Sequence, residues 1–149
     1  MTPEQTFHLA TVDDTLALGK SLATKIKAGL IFLYGDLGAG KTTLVRGWLR
    51  ALGYVGPVAS PTYTLIEPYE LQGINILHID LYRLAKPSEI EYIGLLEQME
   101  LSHLQLIEWP EHGGDLLPAP DLAIHLQAEE EARAAIVRYF NGELQPFSQ

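Results

Sequence analysis

Gly35-Asp36-Leu37-Gly38-Ala39-Gly40-Lys41-Thr42 fits G-x-x-x-x-G-K-[ST], the spacing of a phosphate-binding loop. Each residue type has a task in such a loop. Gly35, Gly38 and Gly40 allow backbone conformations and a closeness of approach that a Cβ would obstruct. Successive backbone N–H groups then turn inward and form a concave anion site. A helix that begins where the loop ends adds its positive terminus to the same site. Lys41 can reach the β- and γ-phosphates as a point charge, and the Thr42 hydroxyl can ligate Mg²⁺, a hard ion that prefers oxygen. The chemistry implied is nucleotide phosphate binding. The dinucleotide pattern G-x-G-x-x-G does not fit, because Gly38-Ala39-Gly40 is followed by Lys41-Thr42-Thr43 with no third glycine.

Such a loop needs an acid at the end of a neighbouring strand to hold Mg²⁺ or orient water. Two acids cap apolar runs: Asp80 ends "INILHID" and Glu108 ends the acidic tip of "LQLIEW". Glu108 follows the more uniformly apolar run and is the first choice as a direct or outer-sphere Mg²⁺ ligand. Asp80 would then position the attacking water or bond to the metal's waters. "ASPTYTL" (59–65) places Thr62 after a proline, in a segment that could fold over the γ-phosphate and depend on it for order. Arg46, Arg50, Arg83 and Arg133 are candidate charge clamps. His78 and His125 read as strand residues rather than ligands, and Trp109 either packs beside the site or fills the core.

The elements that must hold these residues follow from periodicity. "LIFLYG" (30–35) is a continuous apolar run ending in glycine, as expected of a buried parallel strand. "KTTLVRGWLRALG" reads as a helix with Leu44, Val45, Trp48, Leu49 and Leu52 inward and Gly53 as its stop. Upstream, "TFHLA" (6–10) alternates as a short strand. Thr11 or Asp13 can cap a helix over "DDTLALGKSLATKI", with Leu16, Leu18, Leu22 and Ile26 near one face. "TLIEPYEL" and "INILHIDLYRL" are separated by Gln72-Gly73, a hairpin signal. "SEIEYIGLLEQM" is helical in parts and broken near Gly94. "LQLIEW" is another buried strand, stopped by Pro110. "DLAIHLQA" and "ARAAIVRYF" flank a Glu-rich link (129–131) as a final antiparallel hairpin, and the tail after Gly142 is expected to fray. Strands alternating with helices, with hairpins added, predict one α/β domain over residues 1–149: a P-loop NTPase-like layered fold with a mixed, largely parallel central sheet.

The 149 residues suffice for one domain with a real core, and the 47% apolar content is that of a globular protein. There is no cysteine, which excludes a disulfide framework and any cysteine-based metal site or nucleophile. The N-terminal "MTPEQTFHLATVDD" lacks the pattern of a signal peptide, and no apolar stretch approaches a bilayer span, so the expectation is a soluble cytoplasmic protein with no membrane partner. A net charge of −9 is ill-suited to free nucleic acid, whose binding draws on phosphate neutralisation. Any role in nucleic-acid biology is expected to run through a more basic partner. The chain lacks N-K-x-D, an acceptable D-x-x-G switch element and L-S-G-G-Q, and is short for a kinase with a lid and an acceptor pocket.

"GDLGAGKTTLVRG", "SPTYTLIEPYE", "HIDLYRL", "GLLEQ" and "LIEWPE" resemble, in order and approximate spacing, the segments of the bacterial TsaE (YjeE) family. The resemblance runs from about Leu30 to Glu111 and more loosely over the whole chain. "PTYT" has tyrosine where the family often has phenylalanine. The resemblance implies an ATPase required for the threonylcarbamoyladenosine modification of tRNA. It also implies work with the TsaB–TsaD pair, which carries out threonylcarbamoyl transfer and which the ATP cycle resets. It implies weak hydrolysis of ATP to ADP by the protein alone. Residue by residue, it places Gly38, Ala39, Gly40, Lys41, Thr42 and Thr43 on the phosphates, in a nucleotide-binding loop that also includes Gly35, Asp36 and Leu37. It gives Thr42 and Glu108 to Mg²⁺ and makes Lys41, Asp80 and Thr62 matter for turnover. It sets Thr11 and Arg133 near the adenine. Such a protein would meet tRNA only through the complex, as a monomer or with weak self-association. The alternatives are a small-molecule kinase and a nucleotide-gated binding module without enzymatic activity.

Overall fold

The apolar run at 30–34 becomes the inner part of β2 (Gly29–Tyr34), the strand on which the sheet is built. The structure is a computed structural model that describes residues 2–129 and 132–144. β2 is flanked by β5 (Leu104–Glu108) and β6 (Leu122–Ala128), both parallel to it. β4 (Ile74–Asp80) adds to β5 in the same sense. The edges are antiparallel: β3 (Ile66–Leu71) folds back on β4, and β7 (Arg133–Tyr139) pairs with β6 and with β1 (Glu4–Leu9). The seven-stranded order is β1-β7-β6-β2-β5-β4-β3. The expected mixed α/β sheet, parallel at its centre, is what the chain forms. Its central strands read as unbroken apolar runs because both faces are covered.

One face of the sheet packs on α1 (Val12–Lys25) and α2 (Lys41–Ala51). Leu18, Leu22, Leu44, Trp48 and Leu49 meet Ile31, Leu33, Leu104 and Leu106 there. The other face buries Phe32, Ile79 and Ile107 against Ile90 of α3 (Glu89–Tyr92) and Leu95 and Met99 of α4 (Leu95–Glu100). The break expected near Gly94 separates these two helices, with Gly94 in the left-handed region at φ 67°. A 3₁₀ stretch over Pro110–Leu116, interrupted by a kink at Gly114 (φ 55°, ψ −143°) and not anticipated from the sequence, follows β5.

Local chemistry fixes the ends. Thr11, not Asp13, caps α1: the Asp14 N–H donates to Thr11 Oγ1 at 3.2 Å, and Asp14 Oδ2 accepts from the Thr11 N–H at 3.1 Å. Gln72 and Gly73 turn the β3–β4 hairpin with φ of 53° and 77°, the positive pair of a two-residue turn whose twist matches its strands. In the β6–β7 link, the Glu129 N–H donates to Ala132 O at 2.8 Å. Glu130 and Glu131 lie outside the described residues, as does residue 145 onward of the tail expected to fray. No helix among the described residues is long and apolar enough to cross a membrane.

The helices α1 and α2 touch backbone to backbone. A Cβ added at Gly47 would lie 2.2 Å from Leu16 O, and one at Gly19 would lie 2.3 Å from Leu44 O. Leu16, expected on the inward face, is therefore only half-buried, since its main chain rather than its side chain abuts α2. Gly47→Ala must push the helices apart, and overpacking of this kind costs roughly 1–3 kcal/mol. The expected result is a Tm lowered by about 2–10 °C in thermal unfolding. Gly142→Ala, where nothing lies within 4 Å of the added Cβ, should leave the Tm close to that of the parent.

Candidate functional site

The parallel register brings the strand ends to one level. Leu33 of β2 is paired with Glu108 of β5, and Glu108 with Asp80 of β4. Alternation along the strands sends Asp80, His78 and Ile76 to the same face as Glu108, Leu106 and Leu104, the face that carries α2. Two residues beyond Leu33 the glycine loop begins, and it delivers α2 over the two acids. Gly40, at φ 108°, opens α2 with no side chain bonded to the first-turn N–H groups. Those donors remain available to a ligand. A cavity of about 310 Å³ lies here, bounded by Gly38, Lys41, Thr42, Thr43, Thr62, Asp80, Glu108 and Arg133.

Lys41 is 5% exposed, and its Nζ donates to Gly35 O at the start of the loop. Nζ also lies 3.8 Å from the centre of the Trp109 ring. Burial lowers the Lys41 pKa from its ordinary 10.5, against the opposing pull of Glu108, Glu111, Asp80 and Asp36. An anion in the cavity would favour the charged form that burial disfavours. Trp109 holds its place in a left-handed conformation, φ 56° and ψ 48°, with its ring stacked on Tyr82 at 4.9 Å. A bulky residue at positive φ is a genuine outlier, held by its surroundings.

The two acids have different company. Thr42 Oγ1 donates to Glu108, at 3.1 Å from Oε2 and 3.3 Å from Oε1, and the buried His78 Nε2 lies 2.6 Å from Oε2. Asp80 is bound to the 60–62 segment instead. The Ser60 hydroxyl donates to Oδ2, Thr62 Oγ1 donates to Oδ2 at 3.0 Å, and the Tyr82 N–H donates to Oδ1 at 2.9 Å. Glu108 thus faces the loop hydroxyl, while Asp80 anchors the segment on the opposite wall. A hydroxyl and two carboxylates are hard oxygen donors suited to Mg²⁺, which commonly keeps several waters and takes phosphate oxygens as ligands. No group of three or more His, Cys, Asp or Glu residues able to hold a metal occurs among the described residues.

The family model described as "Threonylcarbamoyl adenosine biosynthesis protein TsaE" matches residues 9–136. The chain belongs to the TsaE family. Curated relatives described as tRNA threonylcarbamoyladenosine biosynthesis protein TsaE agree. The one from Haemophilus influenzae is 48% identical over 107 residues, covering 72% of this chain and 68% of the relative. The one from Mycobacterium leprae is 36% identical over 125 residues, covering 78% of each. A crystal structure of Bacillus subtilis YdiB superposes with a TM-score of 0.81 at 27% identity, covering 96% of this chain and 90% of that one. The chain's role is in tRNA threonylcarbamoyladenosine biosynthesis, and a TsaE sequence on a P-loop fold points to nucleotide binding.

Within this TsaE-family site, the structure brings together most of the residues singled out above. Leu37, Gly38, Gly40, Lys41, Thr42, Thr43, Thr62, Asp80, Glu108 and Arg133 all border the cavity. Arg133 reaches it from the start of β7, and its Nη2 donates to Gly38 O at 3.0 Å. Gly35, Asp36 and Ala39 border a separate recess on the other side of the loop, beside the stacked Tyr34 and His125 rings. Thr11 does not border the cavity: its hydroxyl is engaged in capping α1. Arg46 donates to Val58 O, Arg83 lies over the Tyr63 ring and Arg50 lies in the groove between α1 and α2, so none of these three borders the cavity. Sequence reasoning missed Ser60, Tyr82 and the contact of His78. A period-two count back from Asp80 would have put His78 on the acid-bearing face.

Asp80→Ala removes Oδ2, the oxygen that accepts from both Ser60 and Thr62. Hydrogen bonds to a charged group contribute about 1.5–3 kcal/mol each. Amide exchange over 59–64 should therefore quicken by roughly tenfold or more, while β5 keeps its protection. Unchanged exchange over 59–64 would show the segment to be held by other contacts.

Proposed function

We propose that the chain is a Mg²⁺-dependent ATPase that acts in the cytoplasm with the TsaB–TsaD complex and resets it through ATP binding and hydrolysis. The observation that carries this reading is the placement of Thr42 Oγ1 on Glu108 beneath the loop, with Lys41 beside them. The loop N–H groups and Lys41 bind the polyphosphate and stabilise charge that develops on the transferring phosphoryl group. Thr42 and Glu108 would hold the metal, which when bound would neutralise phosphate charge. Asp80, or a group from the partner, orients the water that attacks the γ-phosphorus in line. Water adds to phosphorus, the bond to the β–γ bridging oxygen breaks with its electron pair staying on ADP, and ADP, inorganic phosphate and a proton released to solvent leave. Thr62, bonded to Asp80, keeps that wall closed.

Slow turnover by the isolated protein is consistent with the arginines. Arg133, the cavity's arginine, is bonded to the loop carbonyl of Gly38. A stimulating cation from a partner would complete the site, as trans-acting arginines do in related chemistry. Contact with tRNA would be indirect, in keeping with the net charge of −9.

The test is phosphate release with and without the TsaB–TsaD pair. Stimulation by the pair is expected. Glu108→Gln should lower kcat roughly 10²–10³-fold, the range for loss of one charge-organising group, while ATP still binds. If that variant loses hydrolysis but still supports tRNA modification in cells, turnover is dispensable and the protein is a nucleotide-gated binding module. Transfer of phosphate to an added small-molecule acceptor would make it a kinase.

A further inference from the structure

We propose that His78 is a positioning residue that sets the Glu108 carboxylate for metal-dependent nucleotide binding; the inference rests on the function proposed above. His78 sits mid-strand in β4, fully buried, on the face shared with Asp80 and Glu108. Its neighbours along that face are Ile76 and Asp80. Its Nε2 lies 2.6 Å from Glu108 Oε2, and its Nδ1 has no hydrogen-bond partner among the described residues. The ring therefore makes one polar contact and leaves one polar atom unsatisfied.

For a side chain serving only as core filling, that arrangement is a poor choice. An aliphatic residue would fill the strand position without burying an unpaired nitrogen. What the imidazole adds is an N–H that donates to Oε2 from the side away from the loop. Thr42 Oγ1 reaches the same carboxylate from α2. Glu108 is thus gripped from the strand below and the helix above, and its carboxylate plane is fixed. If Thr42 Oγ1 turns to a metal, the His78 bond is the one that remains to hold Glu108. Outer partners of this kind commonly change metal affinity or activity 10–100-fold when removed.

The test compares ADP affinity in EDTA and in Mg²⁺, measured by calorimetry on the full chain, for the parent, His78→Leu, His78→Met and His78→Gln. Both apolar variants should keep the parent's affinity in EDTA. They should lose about tenfold or more of the gain that Mg²⁺ brings. His78→Gln, whose amide can donate to Oε2, should restore most of that gain. If either folded apolar variant keeps the full Mg²⁺-dependent gain, or if Gln rescues nothing at an unchanged Tm, His78 is core filling and the proposal is overturned. If the parent itself shows no Mg²⁺-dependent gain, the metal-dependent site is refuted and this inference falls with it. The use of two apolar variants keeps the result readable should one of them misfold.

Discussion

The site depends on one pairing: β5 lies parallel between β2 and β4 with Leu33, Glu108 and Asp80 at the same level. Parallel strands deliver their carboxyl ends to one edge, and that edge is where an open α/β sheet binds ligands. Because β2 ends there too, the loop that follows it must cross above both acids. A slip of one residue in β5 would turn Glu108 to the opposite face and bring Ile107 under Thr42. Register is protected by burial, since every residue of β5 is buried and a shifted strand would meet both packed layers with the wrong side chains.

The second constraint is the backbone contact of α1 with α2. Gly19 and Gly47 let the helices approach more closely than side chains would permit. That approach brings the start of α1 against the loop: an added Cβ at Gly40 would meet Thr15 Cγ2 and Arg133 Cδ, each at 3.6 Å. The left-handed Gly40 is thus enclosed by α1 on one side and β7 on the other. The loop's conformation is set by packing of three elements far apart in sequence, before any ligand arrives. Preorganised N–H donors need no rearrangement when a phosphate binds, which is where such loops gain their affinity.

The legible parts of the chain are those whose signals are local. β2, the glycine loop and α2 could be read because an apolar run, a glycine spacing and a helical period follow one another without interruption. The β3–β4 hairpin announced itself through Gln72-Gly73. Two kinds of feature were not legible. The 3₁₀ stretch at Pro110–Leu116 contains Pro110, Gly113 and Gly114, which read as loop residues, and Leu116 and the following Leu117 pack on the core beneath α3 and α4. Asp80 and Glu108 each end an apolar run, and the more uniform run before Glu108 is too slight a signal to divide their roles firmly. Their difference lies in partners distant in sequence: Ser60 and Thr62 for one, Thr42 and His78 for the other. Thr11, which the resemblance sets near the adenine, has its hydroxyl engaged in capping α1, a use that its position before "VDD" also allows.

The charges around the cavity give the proposed metal dependence its physical basis. Lys41 and Arg133 border the cavity together with Asp80 and Glu108, two cations with two carboxylates. A polyphosphate entering alone would meet no net positive charge from these four groups, and both cations already bond to loop carbonyls. The N–H groups of the loop offer partial charges only. Glu108 would repel a bare phosphate at close range, yet it is the group nearest the Thr42 hydroxyl. A carboxylate in that position is unfavourable for simple anion binding and favourable for binding an anion together with a divalent cation. On the proposed reading, the acids make the site selective for the metal complex over the free nucleotide. The free protein meanwhile holds its lysine and arginine in place on the loop they serve.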